Sequence, residues 1–427
     1  MRRIQIASCG RGSESTLYTN RIPSRDRRKR SFAAFVAFIL VSVILLTAQI
    51  SDRARALHRS ALVFDAHIHA IEREFYNGGD IGQRKLDGQF DLPRARDGGL
   101  GAMFFSFYVT EDYYPGRFET KQALRLIDAC VTQIQANGKT IEIAHNATEI
   151  ERIHAAGKIA AVLDIEGSFD LDGDLAVMRN FYRLGLRSMQ LSAHNWQNNY
   201  ADSCCSGTFK NNGLNERGRA WVHEANRLGM VINVSHASDD AISQAIDIST
   251  DPVIATHHGL RQVNDIPRTM PDWLLKKLAA KGGVMGFQIG NEFHNRKVFD
   301  WVTEHAGKPF WDTKAIHDRA PMSIFEIDKV VAHGFPMAGA AVPDDIKLTV
   351  DGWVDVVDKA IQMVGEDHVA LGTDFDGGPT PPRGMRDVSD LPLITDAMVR
   401  RGYSDDRIRK FLGGNLLRVF RRITEKR

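Results

Sequence analysis

From about residue 60 onward, short runs rich in β-branched and aromatic residues alternate with runs of helical period. The strand-like runs are 62–69, 101–109, 159–167, 188–194, 231–236, 252–258, 284–290 and 368–377. Helical patterns fall between most of them, at 121–137, 175–184, 216–228, 239–248, 271–280, 324–333 and 353–364. Two more, around 391–401 and 405–422, close the chain. A helix that carries the chain back between strands makes those strands parallel. Eight such units predict an α/β fold, a closed (β/α)8 barrel of TIM type. The barrel domain is expected over residues 60–427. The stretch 291–350 is too long for an ordinary connection and holds Gly307-Lys308-Pro309 and Pro343-Asp344-Asp345, so it is expected as an insertion over one end.

The ends of these strands carry the chemistry. The first ends Asp65-Ala66-His67-Ile68-His69, the third Asp164-Ile165-Glu166, the fourth His194, and the fifth Ser235-His236. The sixth ends Thr256-His257-His258, and the eighth Gly372-Thr373-Asp374-Phe375-Asp376-Gly377. In a strand, residues two apart share a face, so His67 and His69 can reach one ion. In a parallel barrel all these ends ring one mouth, where the active sites of such folds lie. Any one of these groups alone reads as an ordinary polar cap or turn residue. Six together do not, because each buried unpaired would cost on the order of several kcal/mol. Metal coordination supplies the compensation, and imidazole with carboxylate but no thiolate suits zinc. A carboxylate between two ligand pairs would make a two-metal site. Such a site acidifies a shared hydroxide and polarises a carbonyl.

The N-terminus is separate in character. Residues 1–30 hold nine Arg or Lys against Glu14 and Asp26, which leaves the rest of the chain mildly acidic although the whole carries a net charge of +2. The basic balance therefore belongs to a leader, residues 1–31, and gives no ground for nucleic-acid binding. Residues 31–51 contain no charge, and their apolar centre, 32–50, is long enough to cross a hydrocarbon core of about 30 Å as a transmembrane helix. The cluster Arg25 to Arg30 before it predicts a signal anchor, with the catalytic domain on the extracytoplasmic side of the membrane. A cleaved signal peptide is the alternative, given Ala48 and Ala54. Four cysteines without a CxxC pair argue against a thiolate metal site. Adjacent Cys204 and Cys205 leave a vicinal disulfide and two free thiols equally open.

Between about Val63 and Phe420 the chain resembles the membrane dipeptidase (renal dipeptidase) family of zinc peptidases, among the amidohydrolase-like barrels. The resemblance is carried by the run from Gly213 to Arg219 (GLNERGR) and by Asn226 to His236 (NRLGMVINVSH). Further matches are Pro252 to His257 (PVIATH), Arg268 to Asp272 (RTMPD), Gly372 to Gly377 (GTDFDG) and Asn415 to Phe420 (NLLRVF). It implies two zinc ions, with His67 and His69 on the first, Glu166 bridging, and His236 and His257 on the second. His257 fits better than His258 because of its spacing to Arg268. It further implies Asp374 as the acid/base, His194 as oxyanion stabiliser, and Arg268 as the clamp on the free carboxylate of a dipeptide. A homodimer and tolerance of a D-residue at the C-terminal position are implied as well. The chain departs from the family pattern twice. His69 stands where the family has an aspartate, so the ligand set has one less negative charge. No tyrosine occurs in Gly290-Asn291-Glu292-Phe293, where the family places one near the substrate carboxylate. These departures motivate an alternative on the same barrel, a metal-dependent N-acyl amino acid deacylase or lactonase. A catalytically silent, membrane-tethered binding protein is a third reading, against which Glu166 and Asp374 both count.

Other residues have weaker claims. Asp65 and Asp376 read either as groups orienting the ligands or as turn chemistry. Trp196 and Tyr200 read as pocket lining or packing, and Met285 and Phe287 as barrel core. His154, His223, His294 and His333 are given no role.

Overall fold

The computed structural model describes residues 50–425, apart from 110–113, 115–117, 168–172, 193–199, 206–211, 306–320 and 333–340. The leader and residues 32–49 of the apolar segment lie outside the described residues, as do His194, Trp196 and His333. Among the described residues no helix is long and apolar enough to cross a membrane.

Among the described residues, nine parallel strands form one sheet: β1 (Val63–His69), β2 (Leu100–Tyr108), β3 (Ile141–Ile143), β4 (Ile159–Glu166), β5 (Ser188–Gln190), β6 (Val231–Asn233), β7 (Ile254–His258), β8 (Val284–Phe287) and β9 (Val369–Leu371). The order is β1-β2-β4-β5-β6-β7-β8-β9, with the short β3 beside β4. Past the strand ends, His69 N donates to Phe375 O at 2.9 Å and Asp374 N to His67 O at 2.8 Å, which brings the last strand round to the first. The result is a nearly closed eight-stranded barrel, with β3 as an extra strand that the sequence reading lacks.

Side-chain alternation divides the core in two. Along β4, Ala160 and Val162 face the barrel interior, while Ala161, Leu163 and Ile165 pack outward against the helices. Asp164 and Glu166 continue the inward row at the mouth. The interior layer, with Phe64, Ala66, Ala102, Phe104, Ile254 and Val284, is closed by Leu416, Val419 and Phe420 of helix Asn415–Thr424. Phe420 meets Phe64 and Phe104 edge to face. Met285 and Phe287 are core residues of the outer layer, and Phe287 lies against Trp353.

Helices Glu216–Leu228 and Asp239–Ile248 begin at side-chain caps from Asn215 and Ser238 and span the residues expected of them. The last predicted helix is interrupted at 410–414, where Gly413 is extended (φ 179°). A Cβ there would lie 2.3 Å from Leu62 O, so the close approach of the first strand breaks the helix. Helices Asp52–Ser60, Glu72–Asn77, Leu92–Asp97, Ala147–Ala155 and Arg296–His305 add to the predicted set. Within the insertion, Asp328 of helix Ile324–Ala332 accepts from Tyr114 Oη and Arg125 Nη2, both at 2.7 Å. The insertion thus reaches the elements that follow β1 and β2.

Candidate metal centre

Two strands slip register where they carry candidate ligands. On β1, Phe64 and Ala66 face the interior, yet His67 and His69 do so as well. The parity changes where pairing with β2 shifts between Asp65 and Ile68. β7 repeats the device: Ile254 faces inward, pairing with β8 shifts between Ala255 and His258, and His257 turns to the mouth. One extra residue in a strand re-aims a side chain in this way. The rings of His67 and His257 then stack, with centroids 4.0 Å apart.

His236 and Asp374 follow strands that end early, at Asn233 and Leu371. Both adopt left-handed backbone, with φ of 62° and 63°. That conformation is costly for a residue with a Cβ and is held at sites where the surroundings over-determine it. It also explains why these strands are shorter than the sequence patterns predict, since the candidate residues sit on turns beyond the ladder.

Glu166 lies at the centre and is 2% exposed. Its Oε2 is 2.9 Å from His69 Nε2 and 3.5 Å from His67 Nε2. Its Oε1 is 2.9 Å from His236 Nε2 and 3.6 Å from His257 Nε2. Each carboxylate oxygen therefore faces one histidine pair. Asp374 Oδ1 sits on the first pair's side, 3.4 Å from His69 Nε2 and 3.9 Å from His67 Nε2.

The outer ring nitrogens show why the arrangement fits metal ions. His67 Nδ1 is 2.9 Å from Ser106 Oγ, which donates to Asp164 Oδ2 at 2.7 Å. His69 Nδ1 is 3.2 Å from Glu72 Oε1. His257 Nδ1 is 2.9 Å from Thr256 Oγ1, which donates to Asn233 Oδ1. Partners that already donate elsewhere, or can only accept, place the ring proton on Nδ1. The Nε2 lone pairs of His67, His69 and His257 then point inward, and the Nε2 atoms lie 3.2 Å apart in the first pair and 3.1 Å in the second. Facing lone pairs beside a carboxylate repel unless cations lie among them. His67, His69 and Glu166 form one potential ligand group, and Glu166, His236 and His257 another.

Beyond the cluster, Arg268 is 7% exposed, and none of its three guanidinium nitrogens has a hydrogen-bond partner among the described residues. Its guanidinium lies 5.6 Å from the centroid of Phe293. Burial lowers its pKa to about 10, so it is a cation at neutral pH. A buried cation without an acceptor is a site for an anion.

Gln288 was not singled out in the sequence. It follows β8, and its Nε2 donates to Asp374 Oδ2 at 2.9 Å while its Oε1 accepts from Gly290 N. Its backbone oxygen accepts from Trp353 Nε1 at 2.9 Å. Asp374 is thereby turned so that Oδ1 faces the histidines. Burial raises the pKa of Asp374. The other candidates have structural places. Asp65 binds Thr373 through its backbone N and its Oγ1, and so ties β1 to the turn after β9. Asp376 faces Gln89, Phe90 and Arg73 rather than Asp374. His258 is buried but lies outside both ligand groups, and Tyr200 is buried. Cys204 and Cys205 are joined as a vicinal disulfide, and Cys204 N donates to His236 O at 2.8 Å.

The chain is 30% identical over 349 residues to Dipeptidase tcpJ of Claviceps purpurea, covering 80% of this chain and 71% of that one. To mouse Dipeptidase 3 it is 29% identical over 388 residues, covering 89% and 68%. A metallopeptidase structure from Rhodobacter sphaeroides superposes with a TM-score of 0.67 at 23% identity, covering 85% of this chain and 99% of that one. The family model for membrane dipeptidases matches residues 51–427. With its buried histidine and carboxylate centre at the mouth of a barrel, the chain is a metallohydrolase that belongs to the membrane dipeptidase family, peptidase family M19.

Proposed function

We propose that this protein hydrolyses the amide bond of dipeptides at a centre of two zinc ions. The carrying observation is the division of Glu166, one oxygen to His67 and His69, the other to His236 and His257. When bound, such a pair of ions supplies an acidified water as nucleophile and polarises the scissile carbonyl. Asp374 Oδ1 takes up the nucleophile's proton and returns it to the leaving amine, a role supported by its place beside the first pair and its raised pKa. Arg268 grips the substrate's free carboxylate, which supplies the acceptors its guanidinium lacks. That grip restricts the enzyme to substrates whose C-terminus lies one residue past the scissile bond. Phe293 stands beside Arg268 in the segment that has no tyrosine. His194 is assigned the oxyanion on resemblance alone.

Tolerance of a D-residue at the C-terminal position belongs to the same reading. The Rhodobacter sphaeroides enzyme was solved with a phosphinate mimic of L-Ala-D-Ala. The charge-free segment 32–50 behind its basic cluster supports a membrane anchor with the barrel on the extracytoplasmic side.

The test is a substrate panel on the purified full-length protein: dipeptides with L- and D-C-terminal residues, their C-terminal amides, N-acyl amino acids and lactones. Preference for free dipeptides supports the proposal. Turnover confined to N-acyl amino acids or lactones would replace it with the deacylase or lactonase reading.

A further inference from the structure

His69 is a neutral ligand where the family resemblance places a carboxylate, yet a buried carboxylate stands directly behind it. Glu72 opens helix Glu72–Asn77 three residues later and is 2% exposed. Its Oε1 lies 3.2 Å from His69 Nδ1 and accepts from Tyr108 N at 2.6 Å. Its Oε2 accepts from Ile71 N at 3.4 Å. A carboxylate held by backbone N–H groups is an acceptor only, so the ring proton of His69 stays on Nδ1 and Nε2 keeps its lone pair toward Glu166. The placement is geometrically economical. One oxygen binds the ligand's ring on one side and the end of β2 on the other, fixing His69 against a second strand of the barrel.

We propose that Glu72 is a positioning residue for the metal centre. It orients His69 and supplies, one hydrogen bond further out, the negative charge that an aspartate ligand would have brought. His69 and Glu72 are then one functional unit, and the departure at His69 is compensated within this chain. This rests on the reading above that His67 and His69 hold an ion. A carboxylate bonded to the outer nitrogen of a ligating imidazole raises the ligand's basicity, and losing such a partner typically costs about 10- to 100-fold in metal affinity.

The experiment is a double-mutant cycle on the full-length protein, read as zinc equivalents and as the rate of zinc loss to a chelator. The variants are Glu72→Gln, His69→Asp and the two combined, each checked for folding by thermal melting. Glu72→Gln keeps an acceptor for His69 and Tyr108 and removes only the charge. It is expected to lose one of the two ions about tenfold faster or more. In the His69→Asp background Glu72 has no ring N–H to hold, so Glu72→Gln there should leave zinc loss close to the rate of His69→Asp alone. The effect of Glu72→Gln is expected beside His69 and not beside an aspartate. Unchanged zinc retention in Glu72→Gln, or an equal loss in both backgrounds, would overturn the proposal and leave Glu72 a merely structural residue. If Glu72→Gln does not fold, Glu72→Asp replaces it, with the loss expected only beside His69. A wild-type protein that folds but takes up no zinc refutes the metal reading itself, before any variant is compared.

Discussion

In the proposed reaction Asp374 and Arg268 divide the chemistry between proton handling and substrate anchoring, and their substitutions should separate cleanly. Asp374→Asn keeps the shape of the side chain and removes its basicity. Zinc content should stay at the wild-type level while kcat falls by roughly 10²- to 10⁴-fold, the usual weight of a positioned acid/base. Gln288→Leu removes the bond that turns Asp374 toward the histidines. Steady-state kinetics should show a fall in kcat with KM nearly unchanged, and Gln288→Asn should recover less than the wild-type value because its amide is one methylene short. Arg268→Ala should raise KM for dipeptides and leave the slow hydrolysis of dipeptide amides untouched. Equal losses on both substrates would remove the clamp from the account. Most of the cluster was legible at this scale because His67, His69, His236 and His257 all fall at the ends of predicted strands. Glu72 and Gln288 were not, although each left a trace: Glu72 stands three residues after His69, and Gln288 is the polar end of the one late strand without a histidine or acid. Neither spacing has meaning until the fold shows which way the side chain turns.

Among the elements, the long units followed from periodicity and capping. Helices Glu216–Leu228 and Asp239–Ile248 carry apolar faces, such as Trp221, Val222 and Ala225 in the first, behind an Asn or Ser cap. The one- to two-turn helices Glu72–Asn77 and Leu92–Asp97 are too short to show a period, and β3 is only three residues long. Helix Ala147–Ala155 did leave a signal, with Asn146 as cap and Ala147, Ile150 and Ile153 on one face. The register slips in β1 and β7 could not be read, because a bulge depends on the pairing partner. Close approach of the last three strands makes its own prediction. A Cβ on Gly372 would lie 1.9 Å from Thr256 O, beside His257. Gly372→Ala should lower the melting temperature by the equivalent of about 1–3 kcal/mol, the usual cost of overpacking, and should also weaken zinc retention through β7. Phe420→Ala, at the closed end of the barrel, should cost about 3–5 kcal/mol but leave the zinc content of the folded fraction unchanged.

For the whole molecule, the barrel places every proposed ligand at one mouth and closes the other end with helix Asn415–Thr424. This polarity lets a rigid frame hold a costly set of buried charges. The proposed anchor predicts that the full-length protein stays with membranes through an alkaline carbonate wash, whereas a chain starting at residue 50 is released. Release of the full-length protein by the wash would argue against the anchor. The central claim is that the four histidines and Glu166 hold two metal ions that make the protein a dipeptidase. Elemental analysis of the purified full-length protein, before and after chelation, with dipeptide hydrolysis measured on the same samples, tests it most directly. The account predicts two zinc equivalents per chain, loss of hydrolysis as they are removed, and recovery when zinc is returned. A folded protein that binds no metal, or dipeptide hydrolysis that persists after the metal is gone, would contradict it.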